Sequence, residues 1–247
     1  MVLVGKDQTH QIRDVLRLSE GEHIIILDND GQEYDVALTK VRRQEVVGQI
    51  MAKRPASGEP TIQITLFQSL LTRDKFELVL QKCTEVGVSA FVPVVTERSL
   101  VRDTTIKPEK FARWQKIITE AAEQSQRGRI PHLSQPVTFE QALSKLVDFD
   151  CRLIAWPAKG GFDPVHGFAL PAEGTVTLQQ ALRSTGKGVP ETFALLIGPE
   201  GGFSQKEVEQ ARDSGAIPIT LGQRILRTET AAIVASALIL YELADSL

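Results

Sequence analysis

Two short stretches near the carboxyl end carry residue types at spacings that suit chemistry. The first is Gly198-Pro199-Glu200-Gly201-Gly202, with three glycines in five residues. Backbone of that kind turns sharply and approaches a ligand with no Cβ in the way. Glu200 adds a carboxylate that either accepts a proton or holds its own loop by receiving backbone amides. The second stretch is Gly222-Gln223-Arg224-Ile225-Leu226-Arg227. Arg224 and Arg227 are suited to pinning a phosphate or to offsetting negative charge that develops during a reaction.

The elements that must position these loops can be read around them. Phe193 to Ile197 is a short apolar run bounded by glycine, the pattern of a buried strand. Ser204 with Glu207 three residues on forms a capping box that opens a helix, and Gly215 closes it at the C′ position. Ile217 to Leu221 is a second strand, and a last helix starts near Thr228. Two strands that each end in a glycine loop and feed a helix place both loops at one edge of a parallel sheet, where open α/β sheets bind ligands. Either loop taken alone is equally well explained as an ordinary tight turn.

The sequences GPEGGFS and LGQRILRTETA together resemble the signature of the SPOUT methyltransferases, and within them of the family that methylates N3 of a uridine in 16S ribosomal RNA. The resemblance implies an α/β fold in two parts. A small PUA-like, RNA-binding β-barrel would occupy residues 1–68, and a parallel-sheet methyltransferase domain ending in a trefoil knot would occupy 69–247. It implies S-adenosyl-L-methionine as the methyl donor, held bent between the two loops, and a homodimer that completes the site. The cofactor contacts carried over are Gly198, Gly201, Leu221, Gly222, Ile225 and Leu226, with Thr230 in addition. Arg227, Arg224 and Glu200 are the catalytic candidates, since uridine N3 must lose its proton and the resulting anion must be stabilised.

Three further segments match the same family. His10 to Leu18 resembles the first helix and turn of its N-terminal domain and contributes Arg13 and Arg17 as RNA contacts. Gln81 to Val88 matches together with the strand Phe91 to Val95, which leads to Glu97-Arg98-Ser99. Glu120 to Pro131 matches closely and offers Gln124 and Arg127 to the substrate. The family usually carries another strand, with a basic and aromatic start, before the helix at His10 to Leu18, and commonly a second histidine where Gln11 stands.

Composition sets the outer bounds. A chain of 247 residues with ordinary charged and apolar fractions and a net charge of −3 is a globular protein, and its overall charge does not advertise a nucleic-acid binder. Between Arg98 and Arg129, however, eight basic residues stand against four acids, an excess that can track a phosphate backbone, with Arg98 at its head; an ordinary solvated helix face accounts for it equally. The start, MVLVGKDQTHQIRD, lacks the apolar stretch of a signal peptide, and the longest apolar run, Ala231 to Tyr241, is too short to cross a bilayer. Cys83 and Cys151 stand apart, the pattern of reduced thiols in a cytoplasm. The four histidines are scattered, with no metal-ligand spacing.

Along the chain, His23–Leu27, Tyr34–Leu38, Val46–Met51 and Thr61–Leu66 read as strands of the barrel, with a hairpin turn at Asp28-Asn29-Asp30-Gly31 and a loop over residues 53–60. A helix from Asp74 to Val86 buries Phe76, Leu78, Val79, Leu80, Cys83 and Val86, and one opened near Pro108 buries Trp114. Cys151 to Trp156 is another buried strand, with Trp156 placed to line an adenosine pocket. Residues 158–190 read as loop with a short amphipathic piece at Leu178–Arg183. Thr185-Gly186-Lys187-Gly188 is no phosphate loop, since Ala181 and Gly188 stand where that motif needs glycine and a hydroxyl. The final helix is apolar on nearly every side and is expected to be covered all round, by its own sheet and by a partner subunit. Two rivals share these features: a ribose 2′-O-methyltransferase on the same fold, and a non-catalytic RNA-binding assembly factor.

Overall fold

The structure, a computed structural model, describes residues 2–3, 5–72, 74–156, 160–163, 168–170, 174–184 and 190–243. The chain forms two compact units, Met1–Glu59 with Gln126–Arg129, and Pro60–Ser125 with Ile130–Leu247.

The first unit contains β1 (Val2–Leu3), α1 (Lys6–His10), which runs on into a π-turn over Gln11–Val15, then β2 (His23–Leu27), β3 (Gln32–Val41) and β4 (Val46–Pro55). They form an antiparallel sheet in the order β1-β4-β3-β2 around a small core of Ile12, Leu38 and Val46. The β2–β3 turn is the expected one. The Asp28 carboxylate accepts from the N–H groups of Asp30 at 2.8 Å and Gln32 at 3.0 Å, and Asn29 and Gly31 take the positive φ the turn requires. The expected loop over 53–60 starts late, because Lys53, Arg54 and Pro55 continue β4 opposite Tyr34, Glu33 and Gln32.

The second unit holds β5 (Gln63–Ser69), α2 (Lys75–Val86), β6 (Ala90–Val95), α3 (Pro108–Gln124), β7 (His132–Leu133), β8 (Val137–Thr138), α4 (Phe139–Lys145), β9 (Cys151–Ala155), β10 (Gly160–Asp163), β11 (Phe168–Leu170), β12 (Val176–Thr177), α5 (Leu178–Arg183), β13 (Thr192–Ile197), α6 (Gln205–Asp213), β14 (Ile217–Thr220) and α7 (Thr228–Leu243). Eight of the strands make one parallel sheet, in the order β12-β14-β9-β13-β5-β6-β7 with β8 also on β6. The segment expected as the barrel's last strand, Thr61–Leu66, instead enters this sheet as β5, between β13 and β6. The reason lies in its burial: Ile64 and Leu66 sit in one core layer and Phe67 in the other, as a strand covered on both faces requires.

Alternation sorts the sheet's side chains into two layers. Phe193, Leu195 and Ile197 of β13 pack with α2, α3, α5 and α7 on one face, while Ala194 and Leu196 pack with α4 and α6 on the other. Trp114 is core, as expected, and lies 4.5 Å from Phe76 ring to ring. Leu78 is 41% exposed, a correction to its expected burial, because the helical period groups Phe76, Val79, Leu80 and Cys83 on the inner face and leaves position 78 outside it. The final helix is covered on one side within the single chain. Ala232, Ala235, Ser236, Ile239 and Leu240 are buried, while Leu238 and Tyr241 are exposed on the single chain. No helix among the described residues is long and apolar enough to cross a membrane. The segment 185–189 lies outside the described residues.

Candidate functional site

Because β9, β13 and β14 are adjacent and parallel, with β9 in the middle, their carboxyl ends open at one edge. A cavity of about 440 Å³ sits there. Its walls are the two loops singled out by sequence: Gly198 to Gly202 after β13, and Leu221 with Arg224 to Glu229 after β14. Ala155 and Trp156 at the end of β9 complete it, and the Trp156 N–H donates to the Ile219 carbonyl at 3.0 Å.

Local chemistry explains both loop shapes. The Gly202 N–H donates to the Pro199 carbonyl at 2.9 Å, closing a tight turn. A Cβ on Gly198 would lie 3.1 Å from the Phe203 nitrogen and 3.2 Å from its ring, so a side chain there would press on Phe203. Ser204 and Glu207 form the expected capping box at the start of α6. Gly222 has φ +104°, a conformation that side chains with a Cβ rarely adopt, and its carbonyl accepts from the Thr220 hydroxyl at 2.9 Å.

One buried side chain joins the two loops. The Thr228 hydroxyl donates to the Gly198 carbonyl at 2.5 Å and accepts from the Gln68 amide at 3.2 Å. Sequence reasoning missed Thr228 as a linker, along with Lys75 and Thr72. Lys75 Nζ and Thr72 Oγ1 each donate to Glu200 Oε1 at 3.1 Å. Burial acts to raise the Glu200 carboxyl, but the hydrogen bond from its own backbone N–H and those from Lys75 and Thr72 outweigh it. The group is held below its ordinary value. Glu229, another residue missed, lines the cavity and keeps one carboxylate oxygen buried without a hydrogen-bond donor among the described residues. Its place inside LGQRILRTETA was the available signal; Lys75 and Thr72 had none, being more than a hundred residues from Glu200.

Of the residues named from sequence, Gly198, Glu200, Gly201, Leu221, Arg224, Ile225, Leu226 and Arg227 come together around the cavity. Gly222 shapes the second loop from just outside, and Thr230 is an exposed residue of α7 beyond the lining. Arg224 and Arg227 are exposed, and their guanidinium groups form no hydrogen bond or ion pair with the described residues. Among those residues, no three His, Cys, Asp or Glu side chains gather as a metal site.

The RNA candidates divide between the two units. Arg13 in the first unit grips Asp14 through two hydrogen bonds of 2.7 and 2.6 Å, which together with His10 hold the Asp14 carboxyl down at about 2 against the opposing effect of desolvation. Arg17 is exposed at a positive φ of 55°. Arg127 points inward: its side chain is 2% exposed and ion-paired with Glu59 at 3.0 Å, so the expectation that it faces a substrate is not met in this structure. In the second unit Gln124 is exposed at the end of α3, and Arg98 spends its guanidinium on carbonyls of the loop after β13.

Comparison with known proteins gives a consistent result. The family described as the RNA methyltransferase domain matches residues 58–240, and the RNA methyltransferase PUA domain matches residues 4–51. A Bacillus subtilis protein named ribosomal RNA small subunit methyltransferase E is 34% identical over 96% of this chain and 88% of its own length. Its Synechocystis namesake is also 34% identical, over 93% of this chain and 69% of its own. The crystal structure of a ribosomal RNA small subunit methyltransferase E from Neisseria gonorrhoeae, bound to S-adenosyl methionine, superposes with a TM-score of 0.79 at 29% identity, covering 100% of this chain and 93% of that one. With a parallel sheet, a loop-lined cavity at its carboxyl edge and matches across most of the sequence, the chain belongs to the RNA methyltransferase family that includes the ribosomal RNA small subunit methyltransferase E proteins.

Proposed function

We propose that this protein is an S-adenosyl-L-methionine-dependent methyltransferase that modifies N3 of a uridine in 16S ribosomal RNA. The observation that carries the reading is the cavity walled by the two backbone loops at the ends of β13 and β14. Its mixture of bare backbone, aliphatic side chains and two exposed arginines suits a ligand with a flat apolar base and polar ends. Gly198, Gly201, Leu221, Ile225 and Leu226 hold the methyl donor, Gly222 sets the shape of the second loop, and Thr230 has the weakest support, from its place outside the lining.

The reaction forms a bond between N3 and the methyl carbon, breaks the sulfur–methyl bond and releases the N3 proton. Arg227 and Arg224 supply positive charge beside the base, where the anion develops. Glu200, held ionised by Lys75 and Thr72, serves the loop; that commitment supports loop-holding over proton acceptance. The N-terminal unit, Met1–Glu59 with Gln126–Arg129 rather than the expected 1–68, contributes RNA contacts through Arg13 and Arg17, and Gln124 is available on the second unit. The reading extends to a trefoil-knotted carboxyl end, to a cytoplasmic enzyme acting on the small ribosomal subunit, and to a homodimer. Support for the dimer comes from Leu238 and Tyr241, apolar surface left uncovered on an otherwise apolar α7.

The test is mass spectrometry of ribosomal RNA nucleosides from a deletion strain. A wild-type copy should restore 3-methyluridine and an Arg227→Ala copy much less. Restoration of a ribose-methylated nucleoside instead would refute the N3 assignment, and equal restoration by both copies would remove Arg227 from the mechanism. Light scattering at micromolar concentration should return twice the chain mass.

A further inference from the structure

The turn after β6 touches the loop after β13, although β5 lies between the two strands. Arg98 Nη1 donates to the Gly201 carbonyl at 3.2 Å and to the Phe203 carbonyl at 3.4 Å. Its aliphatic stem packs where a side chain on Gly201 would begin: a Cβ there would lie 3.2 Å from Arg98 Cβ. Next to it, the Glu97 N–H donates to Glu207 Oε1 at 2.8 Å, and the Glu97 carboxylate accepts from the Ser204 hydroxyl at 2.8 Å. The turn is itself pinned, since the Thr96 N–H donates to Ser99 Oγ at 3.0 Å and the two buried hydroxyls lie 2.8 Å apart. Residues 96–99 therefore act as a strap that holds the loop in its middle, at Gly201 and Phe203, and at its end, at Ser204 and Glu207.

We infer that Arg98 is a positioning residue for the wall of the cavity that receives the methyl donor, rather than a contact for RNA phosphate. The inference rests on the proposed function for the identity of the ligand, and on the hydrogen bonds and packing of Arg98 for the role. Gly201 and Gly202 have no Cβ to restrict them, so peptide units in this loop can rotate freely unless something fixes their carbonyls. With both carbonyls turned toward Arg98, the loop is already in the conformation that lines the cavity, and the ordering cost is not charged to the ligand when it binds.

The test compares wild type, Arg98→Ala, Arg98→Lys, Gly201→Ala and the Arg98→Ala/Gly201→Ala pair, each checked by thermal melting. Titration calorimetry with S-adenosyl-L-methionine should show Arg98→Ala weakening binding about tenfold, with Arg98→Lys recovering part of the loss. The rate at saturating methyl donor should stay within about twofold of wild type, since ordering of the loop is then supplied by the ligand. The salt dependence of RNA binding should keep its slope. Since a Gly201 methyl crowds the Arg98 Cβ, an atom that alanine keeps, Gly201→Ala already disturbs the carbonyls that Arg98 holds, so the two effects should combine to less than their sum. Unchanged affinity for the methyl donor in Arg98→Ala overturns the inference, as does strict additivity. A salt slope shallower by about 0.7 with donor affinity intact would make Arg98 a phosphate contact. Wild type that fails to bind S-adenosyl-L-methionine would bring down the proposed function first, a different failure from variants that bind as wild type does.

Discussion

Replacing Thr228 with valine tests whether the two cavity loops are held as one body. The substitution keeps the branched shape and removes only the hydroxyl, which donates to Gly198 O at 2.5 Å and accepts from the Gln68 amide at 3.2 Å at a site only 7% exposed. Two hydrogen bonds are lost, and two buried groups lose a partner. The Gln68 amide nitrogen keeps its bond to the Ser69 carbonyl at 3.1 Å, but its oxygen already has none among the described residues, so the cluster has little reserve. A stranded buried polar group costs about 1–3 kcal/mol, which puts the variant at roughly 2–4 kcal/mol below wild type. For a chain of this size each kcal/mol lowers the melting temperature by about 2–4 °C, so the fall should be on the order of 10 °C. Differential scanning calorimetry measures it, and titration with S-adenosyl-L-methionine reads the matching loss of affinity. Thr228→Ser keeps the hydroxyl and should recover most of both. A valine variant within about 0.5 kcal/mol of wild type, binding the donor normally, would show that the loops do not depend on this link.

Four further outcomes follow from the same geometry. Gly198→Ala pushes a methyl group against Phe203, a 4% exposed core residue, and should cost about 1–3 kcal/mol in stability together with donor affinity; binding as tight as wild type would refute the close-approach reading. Arg127→Ala takes from Glu59 its ion-pair partner and leaves it the Arg129 N–H at 3.0 Å, and since that carboxylate is also 20% exposed the loss should fall at or below the lower end of ~3–5 kcal/mol, with the salt slope of RNA binding unchanged; a stable variant with a shallower slope would return Arg127 to the RNA interface. Glu200 has a depressed folded pKa, so its contribution to the loop is fully present above the ordinary carboxylate range and is lost as pH falls through the folded value. Donor affinity measured against pH should therefore begin to fall at a higher pH in Lys75→Met than in wild type, and coincident curves would separate Lys75 from Glu200. Burial pushes the Cys83 thiol up to about 12 and the Cys151 thiol up to about 11, so neither should react with a thiol reagent at pH 8 until the protein unfolds; rapid native labelling would contradict their placement.

The parts legible in the sequence were those with local signals. The capping box at Ser204 and Glu207, the strand from Phe193 and the glycine at 222 each report on conformation within a few residues, and all three recur in the structure. The unread parts depend on partners far along the chain. Nothing near Glu200 announces Lys75, 125 residues away, and nothing near Arg127 announces Glu59, 68 residues away, so a basic residue at the end of a helix looked like a surface charge. Thr61–Leu66 failed for another reason. A short apolar run shows that a strand is buried but carries no information about which sheet buries it, and the preceding strands drew it into the wrong one. Leu78 shows the limit of listing apolar residues without their helical phase.

The order in which the chain lays down its central strands explains why so much of the site is backbone. The chain forms β9, crosses to β13 on one side of it, and returns to β14 on the other, so the two loops flank the end of β9 and meet over Ala155 and Trp156. In a parallel sheet the last residues of adjacent strands have N–H and C=O groups with no further ladder partner, and these collect at one edge. Part of this set is satisfied internally: Trp156 N–H to Ile219 O joins the middle strand to β14, and Thr228 Oγ1 to Gly198 O joins the second loop to the first. The cavity is walled in part by loops whose glycines carry no side chain. Specific side chains are then needed mainly to hold carbonyls in place from outside, as Arg98 and Thr228 do, and to bring charge to the rim, as Arg224 and Arg227 do. Substitutions at the positioning residues should therefore act on donor affinity, and substitutions at the rim arginines on the rate of transfer.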